Sequence, residues 1–167
     1  EAIQNKTDWV PATVDGIVLG RSTYDDIIKL WGKPHHEAEF AGDPVEREKG
    51  VPMPELMKEL QYRNRDLDGK RANVGVLIGY ETRLVKSISY YLDEFTKDEA
   101  IRKFGSDYYL ITTQASTCIE RSQARMQNRQ LDWMDYPIKL VYPQKGMLVQ
   151  VRENNNVMMV NYVDRCK

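Results

Sequence analysis

His35 and His36 stand side by side, with Glu37 and Glu39 close behind. These are residue types that bind divalent metals or pass protons. Adjacent side chains in an extended segment point apart, so this group does not converge as a ligand set, and it reads as a solvated loop after a helix end. Cys118 and Cys166 show no metal-type spacing, since no second Cys or His lies within five residues of either. They are compatible with one disulfide or with two buried thiols. Arg63, Arg65, Lys70 and Arg71 flank a hairpin turn, and Arg121, Arg125 and Arg129 recur at every fourth residue. Such stripes bind phosphates in other settings. Here the formal net charge is −1 and acidic residues are interspersed around the first group, so no field concentrates nucleic acid or an anionic membrane. No nucleophile elbow, P-loop, HExxH or dinucleotide fingerprint occurs. No residue is therefore assigned as catalytic, cofactor-binding or metal-ligating, and the expectation is a protein that is not an enzyme and uses no cofactor.

The elements that carry these residues are clearer than the chemistry. Residues 23–31 read as a helix. Thr23 caps it, Asp26 completes a capping box, and Ile27, Ile28, Leu30 and Trp31 supply apolar bulk. Gly32 suits the position after the last turn and Pro34 prevents the helix resuming. The same pattern returns at 92–105, an offset of 73 (92 − 19), with matches at Leu19/Leu92, Thr23/Thr96, Asp25/Asp98, Ile28/Ile101 and Gly32/Gly105. Asp26 faces Glu99 and Trp31 faces Phe104, so the capping box and the closing aromatic are both kept. The offset also carries the strand-like stretches 74–80 and 84–91 onto 147–153 and 157–164. Two copies of one unit are expected.

Residues 1–16 read as a lead-in segment, with Trp9 and Val10 as its docking residues. Residues 33–54 hold Pro34, Pro44, Pro52 and Pro54 with Gly42 and Gly50, the composition of an exposed excursion. A short helix over 55–58 follows. Strands are expected at 60–65, 73–80 and 84–91 in the first copy. In the second copy a helix over 116–131 precedes strands at 138–142, 147–152 and 157–163, while 108–113 is apolar and β-prone but short. The opening residues 1–9 have neither a basic start nor an apolar core, so no signal peptide is expected within the chain. No apolar run approaches the roughly 18 residues that span a bilayer.

Ile17, Leu19, Gly20, Ser22 and Thr23, the acidic pair Asp25 and Asp26, the aliphatics Ile27 and Ile28, and the closing Gly32, Lys33 and Pro34 together resemble the SmpA/OmlA family of small bacterial outer-membrane-associated lipoproteins. The repeated unit is similar to the β-lactamase inhibitor protein (BLIP) fold. The expected fold class is thus α+β, two tandem helix–helix–three-stranded antiparallel units, BLIP-like, with the helices packed on one face of a shared or adjoining sheet. The boundaries are a lead-in at 1–16, unit one at 17–91 and unit two at 92–167. The resemblance implies a periplasmic or secreted location and a non-enzymatic module that binds another protein of the envelope or secreted space. The alternative is a small-ligand or lipid-binding module using the groove between the units.

Strand phase locates the expected contact surface. The helices need cover for Ile27, Ile28, Trp31, Ile101 and Phe104, so Val76, Ile78, Ile88, Tyr90, Leu140, Val149, Val151, Val160 and Tyr162 are expected beneath them. The opposite phase faces away: Leu77, Ser89 and Tyr91 in unit one, and Lys139, Val141, Leu148, Gln150, Arg152, Met159 and Asn161 in unit two. This mixture of apolar, aromatic and polar groups has the composition of a protein-binding surface, concave if the sheet twists strongly. The candidate disulfide joins Cys118 to Cys166. It would tie the C-terminus to the long helix and contribute roughly 4 kcal/mol by the chain-entropy account.

Overall fold

A computed structural model describes residues 9–40, 57–111 and 138–164. Helix α1 runs Tyr24–Trp31 and helix α2 runs Lys97–Phe104. Each opens with a complete capping box. The Thr23 and Thr96 amides donate to the Asp26 and Glu99 carboxylates at 2.8 Å, and each threonine hydroxyl accepts in return. Acidic side chains in both first turns also oppose the positive helix end. Each helix stops at a glycine, Gly32 at φ 80° and Gly105 at φ 96°, a conformation that side chains resist.

Two short strands, β1 (Thr13–Val14) and β2 (Ile17–Val18), form a small hairpin ahead of α1. The remaining strands are β3 (His36–Phe40), β4 (Met57–Leu67), β5 (Lys70–Gly79), β6 (Val85–Leu92), β7 (Tyr109–Ile111), β8 (Ile138–Tyr142), β9 (Met147–Val151) and β10 (Val157–Val163). They make one antiparallel sheet of eight in the order β3-β4-β5-β6-β10-β9-β8-β7. Each half of the chain contributes a helix followed by four strands. The halves meet where β6 pairs with β10 along Ser87–Tyr91.

This corrects the expected fold class. The protein is mostly β, and its halves are not helix–helix–three-strand units of the BLIP type. Among the described residues there are two α-helices, against one eight-stranded and one two-stranded sheet. The physical reason lies at the sheet edges. In β3, His36, Ala38 and Phe40 alternate with Glu37 and Glu39, without a β-branched residue to mark a strand, and its strand state depends on pairing with β4. Met57 and Lys58, expected in a helix, open β4 instead. β7 is only three residues long and is held by β8. The expected helix over 116–131 lies outside the described residues, as do Cys118 and Cys166.

The core lies between the helices and one face of the sheet. Ile27 and Ala100 are fully buried there against a cluster that includes Val76, Ile88, Tyr90, Leu140, Val149 and Val160. Burial of each large aliphatic contributes about 1.5–3 kcal/mol. The closing aromatics sit edge-on to sheet tyrosines, Trp31 to Tyr62 at 5.5 Å and Phe104 to Tyr142 at 6.1 Å. The chain start docks on the second half: the Trp9 indole donates to the Val163 carbonyl at 3.1 Å, and the Val10 amide to the Pro143 carbonyl at 2.9 Å. Gly146 is required at that crossing, because a Cβ there would collide with the Val10 carbonyl and the Ala12 amide. The tip of the β4–β5 hairpin reaches α2, with Lys70 paired to Glu99 at 3.3 Å and Asp68 paired to Lys103. No helix among the described residues is long and apolar enough to cross a membrane.

Candidate functional site

Alternation along each strand sends one set of side chains to the helices and the other to the opposite, or far, face. The register lays out that far face in rows. One row crosses the whole sheet through His36, Gln61, Gly75, Ser89, Asn161, Leu148, Val141 and Tyr109, each directly opposite the next. On one side of it runs Asn73, Tyr91, Met159, Gln150 and Lys139. On the other side runs Ala38, Glu59, Leu77, Ser87 and Val163.

Nine of the ten expected contact residues, Leu77, Ser89, Tyr91, Lys139, Val141, Leu148, Gln150, Met159 and Asn161, therefore share one face. Arg152 lies exposed just beyond β9, outside the paired register, its amide donating to the Asn156 carbonyl at 2.8 Å. Exposure divides the face. Tyr91 is 37% exposed, while Leu148 and Asn161 are at 0%, Lys139 at 2% and Gln150 at 3%. Leu77, Val141 and Met159 are buried as well. The buried part carries unusual polarity. Among the described residues neither amide atom of Asn161 has a hydrogen-bond partner, and neither has the Ser87 hydroxyl.

The exposed part is built by β3 to β6, where His36, Gln61, Asn73 and Tyr91 are exposed and Glu59 is half-buried. Its centre is Gly75. A Cβ at that position would stand 3.0 Å from Glu59 Oε1 and 3.6 Å from the Tyr91 ring, so both side chains converge over the bare backbone. The Gln61 amide donates to Glu59 Oε2 at 3.1 Å and holds the carboxylate in place. No lysine or arginine among the described residues forms an ion pair with Glu59. A fixed carboxylate beside an aromatic face is the arrangement that receives a flat cation, by charge and by cation–π contact.

His35 Nδ1 accepts from the Arg63 amide at 3.4 Å, and His36 sits in the transverse row. Among the described residues no group of three or more His, Cys, Asp or Glu is arranged to hold a metal ion. Glu37 lies on the helix side, where Lys58 Nζ approaches to 2.6 Å and the Tyr24 hydroxyl donates at 2.7 Å. Those two bonds hold the Glu37 carboxyl below its usual range, Lys58 having the larger effect.

Sequence reasoning missed Glu59, Gln61, Gly75 and Ser87. Gly75 and Ser87 lie two residues from Leu77 and Ser89 and share their phase, a signal that was readable. Glu59 and Gln61 alternate with buried Leu60 and Tyr62, so their side was readable too. Their neighbours across the sheet were not. The geometry defines a class, an antiparallel eight-stranded sheet with helices on one face and a divided far face. No family model, no curated protein and no solved structure matches the chain.

Proposed function

We propose that this protein is a non-enzymatic binding module that captures another protein on the exposed part of its far sheet face, through an arginine of that partner. The observation that supports this reading is the Glu59 carboxylate, set over Gly75 against the Tyr91 ring, with no basic side chain paired to it among the described residues. A guanidinium stacks on Tyr91 while it shares hydrogen bonds with Glu59 Oε1. Gln61, Asn73 and His36 supply an adaptable polar rim around an aromatic anchor, a combination common in contact surfaces. With this goes the proposal that the protein works in the bacterial cell envelope or outside the cell, which rests on the resemblance in residues 17–34 alone.

A display selection from a random-peptide library tests the binding reading. Enriched peptides carry arginine at one fixed position, and Glu59→Gln or Tyr91→Ala abolishes the enrichment while circular dichroism stays unchanged. Enrichment without arginine, or enrichment that survives both substitutions, overturns it.

A further inference from the structure

The exposed part of the far face is complementary to itself. Glu59, Gln61 and Arg63 occupy alternate positions of β4, so Glu59 and Arg63 stand about 7 Å to either side of Gln61. Tyr62 is buried against Trp31, and the Arg65 guanidinium lies over the Trp31 ring at 4.1 Å, which leaves Arg63 on the other side of the strand. The register shift between Tyr62 and Arg65 sets Arg63 and Asn64 opposite the single residue Asn73, with Asn64 taking up the bend at φ 55°. Arg63 is exposed, and among the described residues it forms no ion pair. We propose that the arginine captured by Glu59 and Tyr91 is Arg63 of a second copy of this chain, in a face-to-face dimer with two-fold symmetry. This names the partner in the binding reading above and rests on that reading.

Symmetry selects the second copy. A two-fold axis lying between the two faces, along the row His36, Gln61 and Gly75, reverses direction along β4 and leaves the row in place. It sets Arg63 of each copy over Glu59 of the other, and Gln61 over Gln61. One Gln61 N–H is held by Glu59, and the second N–H and the carbonyl remain to pair with their own image. Stacked sheets stand about 10 Å apart, a gap that a glutamate and an arginine side chain span together. At Glu59 Oε1 the guanidinium also meets the Tyr91 ring, since both groups converge over Gly75. A stacking that kept the strand direction would set Glu59 over Glu59 and Arg63 over Arg63, which like charges oppose. Lys58, Arg65, Lys70, Lys86 and Lys103 are each held in an ion pair within the chain. The exposed part of the face spans β3 to β5 with Tyr91, so the contact is small and the dimer weak and reversible.

Sedimentation equilibrium of the whole protein tests this. A monomer–dimer equilibrium is expected at concentrations up to about 1 mM, and added salt weakens it. Glu59→Arg and Arg63→Glu should each weaken the dimer about tenfold, and Arg63→Gln should act in the same direction. Circular dichroism should stay unchanged in all three, because neither side chain is part of the core. Mixing Glu59→Arg with Arg63→Glu in equal amounts should restore the dimer, because each supplies the charge that the other has lost. The double variant should restore it as well. The proposal is overturned by a protein that stays monomeric throughout, or by a dimer indifferent to all three substitutions. Restoration in the double variant but not in the mixture overturns it too, because it places the pair within one chain. A monomer that still selects arginine peptides removes the second copy and leaves the arginine-binding patch standing, whereas a monomer that selects none removes both.

Discussion

Tyr62 and Tyr142 make the same hydrogen bond in the two halves of the chain. The Tyr62 hydroxyl donates to the Gly32 carbonyl at 2.9 Å, and the Tyr142 hydroxyl to the Gly105 carbonyl at 3.0 Å. Each bond ties the end of a helix to the sheet strand beneath it. Burial pushes both hydroxyls up to about 12, so they remain protonated donors across the physiological range. Tyr62→Phe and Tyr142→Phe are each expected to lose about 1 kcal/mol of stability. The double variant should lose close to the sum, since the two bonds share no partner. Urea denaturation of the three variants measures this, and strong non-additivity would show that the halves communicate through these bonds.

The two faces of α1 should respond very differently to truncation. Ile27 is fully buried and Leu30 is 54% exposed, although both are apolar and three residues apart. Ile27→Ala is expected to cost about 2–5 kcal/mol. Leu30→Ala should stay within about 0.5 kcal/mol of the parent. Equal losses would mean that Leu30 is covered in solution.

Acid stability follows from the carboxylates at the helix starts. The Asp26 carboxyl is held low chiefly by the Thr23 amide, and that of Glu99 chiefly by the Thr96 amide. A carboxylate with a depressed value binds its proton less readily when folded than when unfolded. Its contribution is therefore complete above the ordinary values of 3.8 for aspartate and 4.5 for glutamate, and is lost as pH falls through the depressed ones. Thermal midpoints should hold steady from neutral pH to just above those values, then drop. In Asp26→Asn with Glu99→Gln the drop should shrink. A midpoint that falls already near pH 6 would point to a group other than these.

Gly75→Ala offers a gentle probe of the proposed contact patch. The added methyl must displace the Glu59 carboxylate, which would be 3.0 Å away. Affinity for an arginine-bearing partner peptide is expected to fall about tenfold, as for loss of one charge-assisted hydrogen bond. Calorimetric titration reads this directly, and unchanged affinity would remove Gly75 and Glu59 from the contact.

The helices and the strand phase were legible because their signals are local. Thr23, Asp26 and Gly32 sit within one short window, as do Thr96, Glu99 and Gly105, and each does what its type and spacing imply. Alternation likewise put Val76, Ile88, Tyr90, Val149 and Val160 on the helix side. The four-strand count was hidden because β3 carries His36, Glu37 and Glu39 where a strand usually shows β-branched residues. The kinship of Tyr62 with Tyr142 was hidden as well: they are 80 residues apart (142 − 62), not 73, because the β4–β5 hairpin is longer than the turn at Pro143–Lys145. The burial of Leu148, Lys139 and Asn161 was not readable at all. Period-two alternation tells which side a residue faces, and nothing about what lies over that side.

The order of strands has a consequence for the chain as it leaves the ribosome. β10 is the last strand described, yet it occupies the middle of the sheet between β6 and β9. Until it arrives, β6 and β9 both present unsatisfied amide and carbonyl edges, the kind of surface that recruits stray strands. A nascent chain that lacks Val157–Val163 thus carries two open seams, and β10 closes both with a single segment. Emergence of β10 and closure of the sheet are one event, so a fragment that stops short of it shows cellular quality control two bare strand edges.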